Sequence, residues 1–175
     1  MNFKTEVQEN HTIALLVDNE PGVLARVIGL FSGRGYNIES LTVAETDLEH
    51  NLSRITIVTN GTPMIIEQIK AQLARLVPVH NVTDLTLDGK SVERELALVK
   101  VVGTGDVRVE SLRIADIFRA RVLDSTNESF VFEIVGDTGK LDAFIELMQP
   151  LGLVDVSRTG VVAIARGTTP LNVAY

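Results

Sequence analysis

The most constraining stretch of the chain covers residues 18–45, which hold the end of a strand, a helix and the start of a second strand. Four apolar residues in it recur at the spacing of one helix face: Leu24, Val27, Ile28 and Phe31. We therefore predict a helix over residues 22–34 whose apolar stripe packs on a sheet. Pro21 suits the first helical position, and Gly33 and Gly35 can adopt the left-handed conformation that stops a helix.

The start of this helix is a candidate anion site. The backbone N–H groups of Gly22, Val23 and Leu24 are expected to be free and to point out of the positive end of the helix dipole. A carboxylate could rest there without any side-chain charge. A Cβ at position 22 would crowd a ligand held against the backbone, although a glycine that merely starts the helix explains Gly22 about equally well.

The rest of the first half alternates strands with a second helix. Residues 12–17 form an apolar run typical of a central strand, and residues 37–45 and 52–59 read as an antiparallel pair. A second helix precedes the closing strand at residues 79–87, and its apolar side comprises Ile66, Ile69, Leu73 and Leu76. The resulting order, β-α-β-β-α-β, is the ferredoxin-like arrangement.

The second half repeats this order in architecture rather than in residue identity. A strand over residues 93–102 and a helix over residues 106–119 precede a hairpin formed by residues 121–125 and 130–135. A helix and an interrupted strand over residues 154–165 complete the set; the apolar side of that helix comprises Leu141, Phe144, Ile145 and Met148. The predicted fold class is α+β, with two ferredoxin-like (βαββαβ) domains.

Turn residues between the two sets of elements set the predicted domain boundaries. We predict an N-terminal extension over residues 1–11, a first domain over 12–87, a second domain over 92–167 and a tail over 168–175. The chain has 175 residues, of which 45% are apolar, and this is enough to build two packed cores.

Composition argues against several classes of protein. The net charge of −7 comes from 23 acidic and 16 basic residues without a basic stripe, and only 5% of residues are aromatic, so nucleic-acid binding is not expected. The chain has no cysteine, which fits a reducing compartment, and residues 1–11 are too polar for a signal peptide or a membrane span. We expect a cytoplasmic protein with no membrane or nucleic-acid partner.

No constellation of catalytic residues stands out. His11, His50 and His80 have no His or Cys partner at ligand spacing, so exposed or incidental histidines are favoured over metal ligands and general bases. The glycine clusters at residues 33–35 and 103–105 match neither a dinucleotide-binding nor a Walker pattern, and there is no nucleophile elbow. We predict neither a catalytic site nor a metal site in this chain.

Several stretches resemble the small, regulatory subunit of acetolactate (acetohydroxyacid) synthase. The resemblance covers all but the two ends of the chain and is carried by the run GLFSGRGYNIESLTV, by residues 18–24, and by segments at 92–100, 139–144 and 158–162. Proteins of that family begin with an ACT domain, an amino-acid-sensing module. The resemblance therefore implies an ACT domain over residues 12–87.

By this resemblance the chain would be the non-catalytic subunit of a transferase. It would bind the large, catalytic subunit of acetolactate synthase, raise its activity and confer feedback inhibition by valine or another branched-chain amino acid. The pathway implied is the biosynthesis of valine, leucine and isoleucine. The resemblance places thiamine diphosphate, Mg²⁺ and FAD on the catalytic subunit and implies no cofactor in this chain.

The resemblance also links three positions to the valine response, and Asn19, Gly22 and Asn37 match them. We predict that the strand starting at Asn37 is a sheet edge that pairs with its copy in a homodimer, which builds an effector site between two chains. The predicted effector-binding residues are Asn19, Gly22, Val23, Leu24, Asn37 and Ile38. An ordinary turn role for Asn37 is the competing interpretation.

Three other functions compete with this one. A free-standing ACT-type amino-acid sensor that regulates another enzyme would have the same fold and pocket, and its binding partner would distinguish it. An RNA-binding module of ferredoxin-like fold is disfavoured by the acidic charge. A metal-responsive regulator would be revealed by a metal titration.

Overall fold

The computed structural model describes residues 8–87 and 91–171. Two predicted features lie wholly or mostly outside these residues: the turn at Asp88–Gly89 and the N-terminal extension. Within the described ranges, no helix is both long enough and apolar enough to cross a bilayer.

Contacts divide the chain into two compact units. Among the described residues, the first unit contains 8–87, 91–92 and 163–171, and the second contains Glu93–Val162. We expected the second domain to extend to Gly167, whereas the segment that begins at Ala163 belongs by its contacts to the first unit.

The first unit follows the predicted βαββαβ order. Its elements are β1 (Glu9–Asp18), α1 (Val23–Arg34), β2 (Ser40–Asp47), β3 (Leu52–Gly61), α2 (Pro63–Leu73) and β4 (Val79–Asp84). The strands form a sheet in the order β2-β3-β1-β4, and each neighbouring pair is antiparallel. The predicted edge position of the second strand is therefore confirmed, since β2 pairs only with β3 in this sheet.

Helix α1 is present, but its buried face differs from the predicted stripe. The buried residues are Val23, Val27, Leu30 and Phe31. Leu24 and Ile28, which we assigned to the stripe, are each 37% exposed. Apolar residues occupy more than half of the circumference of this helix, and periodicity does not decide which part of so wide an apolar surface meets the sheet.

The C-terminal end of α1 is closed by one of the two predicted glycines. Gly35 has a φ of 70°, and the Tyr36 N–H donates to the Phe31 carbonyl at 3.0 Å, which is the bond that characterises a Schellman motif. Gly33 lies inside the helix and does not stop it, so that part of the prediction is wrong.

Helix α2 begins as a proline-started helix should. The Thr62 side chain accepts a hydrogen bond from the Ile65 N–H at 3.5 Å, and Pro63 occupies the first turn. The helix ends at Leu73, so Leu76 lies beyond it, although Leu76 still packs against the core between the sheet and the two helices.

The second face of the first sheet is partly covered by the C-terminal segment. Ala14 and Leu85 form a small buried cluster with Ala163, and Leu171 packs against it. The Arg54 Nη2 donates to the Ala163 carbonyl at 2.7 Å. Burial in this region lowers the pKa of the Arg54 guanidinium. β1 is consequently buried along most of its length, as its continuous apolar run predicts.

The second unit repeats the arrangement. Its elements are β5 (Ser91–Val102), α3 (Gly105–Ile117), β6 (Arg121–Ser125), β7 (Ser129–Gly136), α4 (Thr138–Met148) and β8 (Leu153–Arg158), and the strand order is β6-β7-β5-β8. β9 (Val162–Ala165) follows β8 in the chain, and the gap between these two strands confirms the predicted interruption. The predicted α+β class with two βαββαβ sets is confirmed.

One ion pair lies where β5 meets β8. The Arg158 guanidinium makes two bonds of 2.7 Å to the carboxylate of Glu95, which is 5% exposed, and a third of 2.6 Å to Asp142. The hydrogen bonds that Arg158 donates to the carboxylates of Glu95 and Asp142 raise the pKa of its guanidinium. This bidentate geometry is the one in which a partly buried guanidinium is best satisfied.

Candidate functional site

The segment that follows β1 is tied to the hairpin between β2 and β3. The Asn19 N–H donates to the Asn51 carbonyl at 2.8 Å, and the Asn51 side-chain amide donates to the Asn19 carbonyl at 3.3 Å. Asn51 has a φ of 54°, in the left-handed region that Asn tolerates. The Asn19 side chain is exposed, and its NH₂ group also donates to the Asn51 Oδ1 at 3.5 Å.

The backbone N–H groups at the start of α1 are not all free, contrary to our prediction. Gly22 caps the helix with a φ of 87°, and Pro21 lies in the turn before it rather than at the first helical position. The Val23 N–H donates to the Glu20 carbonyl at 3.3 Å and is therefore not free, and the Val23 side chain is buried in the core. Among the described residues, the N–H groups of Gly22 and Leu24 donate no hydrogen bond outside the helices and strands.

The backbone conformation by itself explains the glycine at position 22. A Cβ on Gly22 would have no heavy atom of the described residues within 4 Å, so it would crowd nothing in that part of the chain. Its positive φ is costly for residues that carry a Cβ. A ligand held against the backbone is therefore not needed to account for this glycine.

Asn37 lies in the loop before β2, not in the strand as predicted. Its carbonyl accepts a hydrogen bond from the buried Thr59 hydroxyl at 2.8 Å, and its Oδ1 accepts one from the Ile38 N–H at 3.3 Å. Ile38 is partly buried against the first core. The Asn37 side chain is exposed, so its NH₂ group is accessible to a ligand or to another chain.

Within one chain, the two halves of the predicted site lie at opposite ends of the sheet. Thr59, which bonds Asn37, is paired with His11 near the start of β1, whereas Asn19 follows Asp18 at the end of β1. At about 3.3 Å per residue, the length of strand from His11 to Asp18 is roughly 23 Å. The structure therefore groups Asn19 with the start of α1 and Asn37 with Ile38, but it does not join these two groups in a single protomer.

Each histidine hydrogen-bonds an aspartate. The pairs are His11 with Asp84 at 2.8 Å, His80 with Asp18 at 2.6 Å and His50 with Asp47 at 2.9 Å. The prediction of exposed or incidental histidines is wrong for His11, which is 4% exposed. Hydrogen bonds from the His50 backbone and side chain lower the pKa of Asp47.

All three pairs link neighbouring segments of the first sheet. His11 and Asp84, and likewise His80 and Asp18, join β1 to β4, while the third pair closes the hairpin between β2 and β3. Among residues 8–87 and 91–171, no three His, Cys, Asp or Glu side chains come together in a way that could hold a metal ion.

A cleft between α1 and α2 was not identified from the sequence. It has a volume of about 490 Å³ and is open to solvent on one side. Its lining comprises Arg26, Gly29, Leu30, Arg34, Gln72, Arg75 and Leu76, and we call it the arginine cleft. A signal for it exists in the sequence, because α1 carries two arginines and no acidic residue.

Comparison with known proteins gives a consistent result. Residues 13–81 match the family model of the AHAS small subunit-like ACT domain, and residues 94–167 match that of the small subunit of acetolactate synthase. The chain is 48% identical over 157 residues to a probable acetolactate synthase small subunit of Archaeoglobus fulgidus, covering 90% of this chain and 97% of that protein. It is 47% identical over 156 residues to the acetolactate synthase isozyme 3 small subunit of Escherichia coli, covering 89% and 94%.

The crystal structure of the acetolactate synthase small subunit from Thermotoga maritima is also similar. It superimposes with a TM-score of 0.83 at 39% identity, covering 92% of this chain and 99% of that one. Both family models and the similarity over nearly the full length agree with the order of elements described above. The chain therefore belongs to the acetolactate synthase small-subunit family, and its first half is an ACT domain of that family.

Proposed function

We propose that this chain is a regulatory subunit that activates the catalytic subunit of acetolactate synthase and makes it sensitive to valine. The observation that supports the proposal best is the placement of the predicted effector residues around β2, an edge strand of the ACT-type sheet. Valine binding then requires a second copy of the chain, because Asn19 and Asn37 are too far apart to share one small ligand within a protomer.

Pairing of two β2 strands would bring these residues together. An isologous pair of edge strands runs antiparallel, so the residues before β2 in one protomer lie beside the residues after β2 in the other. Asn37 precedes β2, and the hairpin that follows β2 contains Asn51, the backbone partner of Asn19. A homodimer of this kind therefore places Asn37 of one chain near the Asn19 loop of the next.

Exposed apolar side chains on α1 also favour a dimer formed through the side of the unit that carries β2. Helix α1 connects two strands that flank β3, so it lies on the side of the unit nearer β2, while α2 contacts β4 at the other side. Each residue turns by about 100° around a helix, so Leu24 and Ile28 face away from the flank of α1 that lines the cleft with α2. In the proposed dimer they face the β2 edge, where a second copy would bury them.

The pocket between two chains suits a small amino acid with a branched side chain. The accessible N–H groups at the start of α1 would bind its carboxylate, and oxygen atoms near Asn19 would accept from its ammonium group. Leu24 and Ile38 would enclose the apolar side chain. A ligand that contacts both protomers changes their relative orientation. A coupling free energy of about 1–3 kcal/mol between effector binding and activity is ordinary for such regulation.

Catalysis belongs to the partner in this proposal. The catalytic subunit would hold thiamine diphosphate, Mg²⁺ and FAD, and this chain would contribute no group to the reaction. The chain contains no cysteine, which supports our placement of the complex in a reducing compartment, the cytoplasm.

The decisive experiment measures acetolactate formation by the catalytic subunit of the same organism with and without this chain, followed by a valine titration. We expect activity to rise on addition of the chain and to fall again with valine. Asn37→Ala should keep the activation but raise the half-inhibitory valine concentration by roughly tenfold, the cost of one polar contact to a charged ligand. Asn127→Ala, at the exposed hairpin tip of the second unit, is the matched control.

Two outcomes would contradict the proposal in different ways. If the wild-type chain binds valine but leaves the catalytic subunit unaffected, it is a free-standing amino-acid sensor that regulates another enzyme. If Asn37→Ala responds to valine as the wild type does, the regulatory role stands and the effector site lies elsewhere.

A further inference from the structure

The arginine cleft contains three guanidinium groups that have no partner in the described chain. Arg26, Arg34 and Arg75 are exposed around it, and none of them makes an ion pair or hydrogen bond through its side chain among residues 8–87 and 91–171. In the second unit, by contrast, Arg113 and Arg121 each pair with a glutamate. The cleft is thus a positive region on a chain whose net charge is −7.

The floor of the cleft carries one more unsatisfied group. The Gln72 Oε1 is buried and accepts no hydrogen bond from any described residue. A buried acceptor without a donor is costly, so a partner that supplies an N–H or O–H group is favoured there. Leu30 and Leu76 add apolar surface beside it. The cleft therefore suits a partner that combines negative charge, a hydrogen-bond donor and some apolar surface.

The shape of the cleft favours a segment of protein over a single small anion. Arg26 and Arg34 are two turns apart on α1, a separation of about 12 Å along the helix axis. One phosphate or carboxylate cannot reach both groups, whereas aspartate and glutamate side chains along a peptide segment can. Small-molecule sites usually enclose most of the ligand surface, and this cleft is open on one side.

The cleft lies away from the face that the proposed homodimer uses. Arg26 and Gly29 project from the flank of α1 that meets α2, opposite Leu24 and Ile28. A dimer formed through β2 consequently leaves the cleft open to a third chain. Arginine is enriched among the residues that dominate binding energy at protein interfaces, because it combines several donors with a large apolar stem.

We propose that the arginine cleft is the docking site for an acidic segment of the catalytic subunit. This inference rests on the proposed function, which names that subunit as the partner. Carboxylates of the segment bind the guanidinium groups of Arg26, Arg34 and Arg75, a backbone or side-chain N–H of the segment donates to Gln72, and an apolar side chain packs on Leu30 and Leu76.

The test compares two double variants that remove the same charge. Arg26→Gln with Arg75→Gln changes the cleft, and Arg113→Gln with Arg121→Gln changes paired arginines of the second unit. Binding to the immobilised catalytic subunit is measured at low and at physiological salt, and valine binding is measured by calorimetry. We expect the cleft variant to bind the catalytic subunit roughly 10- to 100-fold more weakly and with less salt dependence, whereas the control binds as the wild type does.

Further measurements separate a binding defect from a folding defect and from a small-anion site. Both double variants should unfold at the wild-type temperature and bind valine normally, and Arg26→Lys with Arg75→Lys should recover part of the affinity because it keeps the charge. Equal affinities of the cleft variant and the wild type would overturn the docking proposal while leaving the proposed function intact. Loss of phosphate or pyrophosphate binding in the cleft variant, without any effect on the catalytic subunit, would also overturn it.

A different result is expected if the proposed function itself is wrong. If the wild-type chain does not bind or activate the catalytic subunit at all, the proposed function fails, and the docking proposal fails with it because its named partner is wrong.

Discussion

Single residues in this chain owe their identity to backbone geometry more often than to contact. Gly22 has a φ of 87° and open space where a Cβ would be, so Gly22→Ala should destabilise the first unit through backbone strain alone, by about 1 kcal/mol. Gly33→Ala is the matched control, because Gly33 is helical and equally unobstructed, and it should be neutral or stabilising by about 0.5 kcal/mol. Urea unfolding at fixed protein concentration measures both, and equal effects would contradict the strain argument.

The Glu95–Arg158 pair is the residue-scale contact with the largest expected cost of removal. Arg158→Met leaves the buried Glu95 carboxylate without its bidentate partner, so the free energy of unfolding of the second unit should fall by about 2–3 kcal/mol. Arg113→Met removes a pair with Glu110 on an exposed helix surface and should leave stability within experimental error. Calorimetric unfolding of the two variants tests this. Recovery of stability in the double variant Arg158→Met with Glu95→Gln would confirm the cause.

At the scale of one element, α1 shows how an apolar helix surface divides between core and interface. Val27 is fully buried, so Val27→Ala should lower the free energy of unfolding by about 2 kcal/mol. Ile28 is 37% exposed, so Ile28→Ala should have less than half that effect on stability, and it should weaken self-association if the β2 edge forms the dimer. Thermal unfolding and sedimentation equilibrium measure the two quantities. A larger loss of stability for Ile28→Ala would indicate that the predicted stripe, not the observed one, meets the sheet.

At the scale of the whole molecule, the chain returns to its first unit after completing the second. Ala163 and Leu171 pack on the sheet face formed by Ala14 and Leu85, and the Ala163 carbonyl accepts from Arg54. Truncation after Val162 should therefore reduce hydrogen-exchange protection of β1 and β4 selectively, because this sheet face then meets water. Exchange monitored by mass spectrometry reports on both units at once. The core strand β7 of the second unit, which pairs with β5 and β6, provides the internal control. Unchanged protection of β1 would show that the segment contributes nothing.

Most of the architecture could be read from the sequence because its signals are local. The continuous apolar run of β1, the glycine stop at Gly35 and the Thr62–Pro63 helix start each specify their element through nearby residues. The wrong assignments share a different cause. Which flank of α1 meets the sheet and whether His11 is exposed depend on neighbours distant in the chain.

The features of the candidate site likewise fall into those that the sequence identifies and those that only the tertiary structure decides. Asn19, Gly22 and Asn37 could be identified from the sequence because they match positions of the family that it resembles. The pattern of elements also predicts that β2 is an edge strand. Only the tertiary structure decided that Asn19 and Asn37 lie at opposite ends of one sheet and that Val23 is core. Only the tertiary structure also brings together, between α1 and α2, a buried glutamine oxygen and three arginines that are unpaired among the described residues. The physical reason is that periodicity and turn chemistry act over a few residues, whereas burial, charge pairing and the distance between two loops are set by how separate elements pack.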